Sequence, residues 1–155
     1  MRTVPPYRAA PLAAGALLAL LCSLAAGAVD SAGMVKTLKG QVNILRAGQT
    51  LPVRVGDPVL EGDQLNTGAD SSVGITLRDD TLLAAGARST LEIRHFSFNP
   101  TTHDGRLDSN VKRGTLAVIS GKIAHAHPEA VQFSTNSLTL GVRGTEFIID
   151  AGEQP

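Results

Sequence analysis

Cysteine is nearly absent from this chain of 155 residues, Cys22 being the only one. No intrachain disulfide can form, and the fold has to stand on burial alone. Tryptophan is missing and tyrosine occurs once, at Tyr7. Sugar faces commonly stack on such rings, so a carbohydrate- or peptidoglycan-binding module is a weaker alternative. Neither sign of charge is in excess, with 14 Lys and Arg against 14 Asp and Glu. A dedicated nucleic-acid binder carries a basic surplus to meet the phosphates, which excludes DNA and RNA as partner classes. Long hydrophobic runs are confined to residues 9–29, and no later stretch is long and apolar enough to span a membrane. The length suits one ordinary domain and excludes two catalytic ones.

What is present begins with that hydrophobic run. Arg2 and Arg8 precede it without an acid, and it ends in Ala26-Gly27-Ala28. This is the layout of a secretory signal peptide, residues 1–28, with cleavage before Val29. An uncleaved inner-membrane anchor is the alternative, since a run of this length can cross a bilayer. Pro11, Gly15 and the short leucine-dense centre at 17–24 favour cleavage. Cys22 follows the bulky Leu21 where a lipoprotein signal places a small residue, so lipidation is not expected. The exported remainder of 127 residues carries 12 basic and 14 acidic side chains and is mildly acidic. It also holds 35 Leu, Val, Ile and Phe residues, enough for an aliphatic core.

From Met34 onward apolar residues recur at period two in short runs, the pattern of half-buried strands. In 41–45, Val42 and Ile44 point to one face and Gln41 and Asn43 to the other. Similar runs are 72–77, 90–93, 115–119, 131–134 and 145–149, rich in β-branched residues. Turn pairs separate them: Gly56-Asp57, Gly62-Asp63, Thr67-Gly68 and Asp79-Asp80, then single glycines at 105 and 114. No ten-residue window carries a helical stripe. The polar segment 99–105 reads as the longest exposed loop. The expected fold is all-β, with short, mainly antiparallel strands in a twisted β-sandwich or a short solenoid-like stack. The domain occupies 33–150, followed by a short tail at 151–155.

Several landmarks then fall in order. Paired Gly-Asp turns run to Asn66-Thr67-Gly68; Asp79-Asp80-Thr81-Leu82, Arg113-Gly114-Thr115-Leu116 and Phe133-Ser134-Thr135 follow, and Val142-Arg143-Gly144-Thr145-Glu146-Phe147 closes the series. The sequence resembles a FecR-type periplasmic domain from about Gly33 to Ile149. The resemblance implies an all-β module exported across the inner membrane of Gram-negative bacteria. In iron-siderophore sensors such modules relay receptor occupancy to a sigma factor, acting by protein contact and not by catalysis. Two departures stand out here: no cytosolic sigma-binding segment precedes the hydrophobic run, and the chain ends soon after Phe147. A stand-alone domain is expected, with an open sheet edge to which a partner strand could add.

Candidate chemistry is sparse. His125-Ala126-His127 puts two imidazoles on one face if extended, and Glu129 follows, but zinc ordinarily takes three or four protein ligands. No metal and no cofactor are assigned. His103-Asp104 lies in the polar loop and there is no Gly-x-Ser-x-Gly elbow, so a small hydrolase or metal-dependent enzyme using His103, His125 or His127 remains only an alternative. No catalytic residue is assigned. Gly56, Asp57, Gly62, Asp63, Thr67 and Gly68 read as turn-formers whose acids face water; a regular calcium-loop spacing is absent. Arg143, Gly144, Thr145 and Phe147 read as the second interaction or structural motif. Arg143 is expected to lock the turn by bonding backbone carbonyls, and Phe147 to enter the core. The expected function is a non-catalytic periplasmic interaction module that touches another envelope protein.

Overall fold

The computed structural model describes residues 30–152; the expected signal peptide, its expected cleavage site and Cys22 lie outside them. The period-two pattern becomes thirteen strands. They are β1 (Gly33–Lys39), β2 (Val42–Arg46), β3 (Gln49–Pro52), β4 (Pro58–Val59), β5 (Gln64–Thr67), β6 (Ser72–Leu77) and β7 (Leu82–Ala85), followed by β8 (Thr90–Phe98), β9 (Gly105–Arg113), β10 (Thr115–Ile119), β11 (Val131–Ser134), β12 (Thr139–Gly141) and β13 (Glu146–Asp150). A one-turn helix, α1 (Lys122–Ala126), and a 3-10 turn (Pro128–Ala130) connect β10 to β11.

The strands form two sheets in a sandwich-like fold. One is six-stranded in the order β13-β10-β7-β6-β1-β4, antiparallel throughout. The other is seven-stranded in the order β12-β11-β9-β8-β5-β2-β3, with β9 and β11 its one parallel pair. Alternation assigns the inner face of each. Val35, Ile75, Leu83, Val118 and Ile149 line the first sheet; Ile44, Leu65, Ile93, Leu107 and Phe133 line the second, all buried. Each such side chain removed from water contributes about 1.5–3 kcal/mol, and this aliphatic layer replaces the missing disulfides.

Strands 72–77, 115–119 and 131–134 begin and end where the sequence places them. The run at 90–93 extends to Phe98, because a register shift between Ile93 and His95 leaves Arg94 and His95 both exposed before Phe96 turns inward. A bulge of this kind interrupts the period-two signal without ending the strand. The polar segment after it forms the exposed loop at 99–104 of the β8–β9 hairpin. His125 is helical rather than extended, so the two imidazoles of 125–127 do not share a face.

Candidate partner-binding edge

Strands β12 and β13 end the two sheets on the same side of the sandwich, and residues 142–145 join them. The junction is pinned from β10 outward: the Ser120 N–H donates to the Thr145 carbonyl at 2.8 Å, and its hydroxyl to the Gly144 carbonyl at 3.0 Å. Gly144 has φ +150°, a conformation that side chains disfavour. Val142 is buried, whereas Phe147 meets Phe133 edge-on at 5.5 Å between ring centroids. That contact ties β13 to the opposite sheet; Phe147 packs half-buried against the core, with Ile149 deeper still.

Between the two edge strands lies a cleft of about 260 Å³, lined among others by Leu140, Val142, Arg143, Gly144, Phe147 and Ile148. Ile148 is 74% exposed and Leu138, in the turn before β12, 63%. The Arg143 guanidinium has no hydrogen-bond or ion-pair partner among the described residues. The carbonyl lock expected of it is made instead by Ser120. Gly144 and Thr145 supply the carbonyls of that lock, and Glu146 also has no partner among the described residues.

Among the described residues the backbone of β13 is half satisfied. Ala151 donates to the Gly114 carbonyl and Ser120 to the Thr145 carbonyl, framing an antiparallel ladder in which Phe147 faces Val118 and Ile149 faces Leu116. Alternation of hydrogen-bonded and non-bonded pairs therefore turns the N–H and C=O groups of Glu146, Ile148 and Asp150 away from β10, toward the open edge.

The other sequence-predicted residues lie elsewhere. Gly56 and Asp57 lead into β4 at the opposite edge of the six-stranded sheet, with β10, β7, β6 and β1 between them and β13. Gly56 (φ +94°) and Gly62 (φ +86°) form turns as read from the sequence, and the Asp57 carboxylate caps its own turn by accepting the Arg54 N–H at 2.7 Å. Asp63 does not face water. It is fully buried, gripped by Arg46 through Nε to Oδ1 at 2.8 Å and Nη2 to Oδ2 at 2.7 Å, and it also accepts the Leu60 N–H at 2.8 Å. The hydrogen bond to Asp63, with its charge, holds the Arg46 pKa above its already high ordinary value. Thr67 bonds the Gly86 carbonyl at 2.6 Å and accepts the Ser89 N–H at 2.8 Å, while the Gly68 N–H donates to the Gln41 carbonyl. This first motif builds the scaffold; of the second, Arg143, Gly144 and Phe147 line the cleft, and Thr145 gives its carbonyl to Ser120.

The histidines are dispersed. His127 Nε2 lies 2.9 Å from Asp104 and its Nδ1 3.4 Å from Glu129; His103 stacks on Phe98, with 6.3 Å between ring centroids. Among the described residues no group of three or more His, Cys, Asp or Glu could hold a metal ion. No described helix is long and apolar enough to cross a membrane. Sequence reasoning passed over Leu140 and Ile148. The Ile148-Ile149 doublet was the available signal, since neighbouring strand residues face opposite ways and one isoleucine must point outward.

These features define an all-β sandwich domain with a half-satisfied sheet edge over an apolar cleft. Within that class the chain belongs to the FecR protein family, whose pattern matches residues 63–155. The family is a regulatory and signalling one, not known for enzymatic activity. A solved structure described as a cell surface anchoring domain is 31% identical over 41% of this chain and 84% of that one, with a TM-score of 0.40. No curated protein matches the chain.

Proposed function

We propose that the protein is a non-catalytic, periplasmic interaction module of the cell envelope. It is exported by its N-terminal signal and works by contact with another envelope protein in signalling of the kind that reports on iron uptake. The observation that carries this reading is the β12–β13 cleft: apolar walls, outward N–H and C=O groups on β13, and a guanidinium with five donors and no partner among the described residues. Buried aromatic and aliphatic anchors beside unpaired polar groups are what a partner surface completes. Family membership supports the same reading, since FecR domains contact other envelope proteins.

The test is in-cell photo-cross-linking from p-benzoylphenylalanine placed at Leu140 or Ile148 of a C-terminally tagged chain. Val55, 60% exposed near the opposite edge, serves as the control position. Cross-links to one envelope protein from the cleft positions and not from position 55 are expected, on a bait that begins at Val29. Equal labelling from all three positions, or none, would overturn the assignment.

A further inference from the structure

Among the described residues no strand pairs with β13 on the side away from β10, and the character of that edge limits what can bind it. Glu146, Ile148 and Asp150 alternate with Phe147 and Ile149, so the outward face of the strand reads acid, apolar, acid and its inward face carries two hydrophobic side chains. Ile148 ends a cross-strand row of Thr37, Gly74, Ala84 and Ala117 on the outer face of the six-stranded sheet. Gly74, Ala84 and Ala117 floor a shallow apolar trough of about 300 Å³, walled by Leu82 and Ile119, with Glu146 at its β13 end. The row, the trough and the cleft therefore all run out at the same open edge.

A second copy of this chain is the wrong occupant. Antiparallel self-pairing about Ile148 sets Glu146 opposite the second copy's Asp150 at both ends of the five-residue strand, and like charges directly opposite each other destabilise a sheet. The acids thus guard the edge against self-association. They do not guard it against a strand of opposite charge.

Resting on the interaction-module reading above, we infer that β13 takes an added antiparallel strand from another protein with the pattern basic, apolar, apolar, apolar, basic. The two cations face Glu146 and Asp150, and the central apolar side chain extends the row that ends at Ile148. The outer two apolar side chains pack beside Phe147 and Ile149 at the mouth of the cleft. Main-chain bonds to residues 146, 148 and 150 provide affinity, and the charges select the partner. Arg143, in the loop before β13, is placed to take a carbonyl of the incoming strand.

The probe is an acetylated and amidated peptide, GSKVVVKSG, titrated against the intact exported chain by calorimetry. GSEVVVESG is the control, as is the basic peptide N-methylated on alternate backbone nitrogens. Ile148→Pro is the decisive variant. The Ile148 N–H points away from β10, so proline there leaves that ladder intact while removing the central donor. The basic peptide should bind at least tenfold tighter than the acidic or N-methylated one and weaken with added salt. It should lose at least tenfold on Ile148→Pro at unchanged Tm, and Glu146→Lys/Asp150→Lys should reverse the preference toward the acidic peptide. Equal binding of the two peptides, or an unreversed preference in the charge-swapped variant, would overturn the inference. If Ile148→Pro lowers Tm, the N-methylated peptide decides alone. Cleft-specific cross-links without peptide discrimination would refute the strand-addition geometry and leave the module reading standing; absent cleft cross-links would refute the module reading.

Discussion

Removing Arg46 isolates one term of the scaffold. Asp63 is 1% exposed at its side chain and Arg46 31%, so Arg46→Met leaves a buried carboxylate with only the Leu60 N–H to stabilise it. Breaking a buried pair by deleting one partner typically costs about 3–5 kcal/mol. The partial exposure of Arg46 lets water reach the gap and the Leu60 bond persists, which places the cost at the lower end, about 3 kcal/mol. For a domain of this size 1 kcal/mol moves Tm by roughly 3–5 °C, so a fall of about 10 °C is expected. Arg46→Lys keeps the charge and loses the two-pronged geometry, costing about 1–2 kcal/mol. Urea unfolding at neutral pH supplies the free energies and a thermal melt the Tm. Arg46→Met/Asp63→Asn removes the stranded charge and should recover at least about 1 kcal/mol relative to Arg46→Met alone. A loss below about 1 kcal/mol for Arg46→Met, or a double variant whose cost equals the sum of the singles, would refute the argument.

A second buried acid makes a parallel case. Asp79 accepts the Thr81 hydroxyl at 2.8 Å, and the Thr81 oxygen accepts the Gly121 N–H at 3.1 Å; Thr81→Val should cost about 2–3 kcal/mol in urea unfolding, and a loss within 0.5 kcal/mol would contradict it. Arg143→Ala should leave stability within about 0.5 kcal/mol of the parent while weakening partner capture, because its guanidinium has no partner among the described residues; a large drop in Tm would show a structural role instead. The Thr102 hydroxyl, with the His127 charge assisting, holds the Asp104 carboxyl below its ordinary 3.8. A lowered folded-state value stabilises the fold above the ordinary carboxylate range, and that contribution is lost as pH falls through the lowered value. Asp104→Asn should therefore flatten part of the acid limb of a stability profile taken from about pH 5 to about pH 2, and superimposable profiles would contradict the sign.

The class of fold was legible because period two is a direct imprint of a sheet with one face in the core. Val73, Ile75 and Leu77 in β6, or Leu116 and Val118 in β10, alternate with exposed or half-buried neighbours. Legibility failed where that coupling loosens. In β3 and β12 every residue is exposed, so no alternation marks them. In β9 the buried positions include Ser109 and Asn110, with Asn110 bonding Ser134 at 2.9 Å across the parallel pair; buried polar residues imitate a loop in the sequence. Asp63 misled for a related reason. An acid in a Gly-Asp turn reads as surface, and the arginine that permits its burial stands seventeen positions earlier on another strand. The Arg143–Phe147 motif was visible as a unit, but the cleft needs Leu140 from the other sheet, and only the tertiary fold brings that residue to it.

The division between satisfied and spare polar groups gives the functional reading its force. Burying a polar group without a partner is costly, and the scaffold obeys that constraint at its buried acids and at Thr67: Asp63 has Arg46 and Leu60, Asp79 has Thr81, and Thr67 engages both Gly86 and Ser89, with the buried Ser109 hydroxyl the exception among the described residues. The β13 edge does not need to obey it: the outward N–H and C=O groups of 146, 148 and 150 and the Glu146 carboxylate stay uncommitted among the described residues, while the Asp150 carboxylate accepts the Gly152 N–H at 2.8 Å. Its position is nevertheless fixed from within, by Phe147 against Phe133 and by Ser120 on the 144–145 carbonyls. A rigid strand with uncommitted outward groups forgoes little entropy when a partner strand docks. The same edge would be a hazard for self-association if it were apolar throughout, and Glu146 and Asp150 remove that hazard while setting the charge a partner must bring.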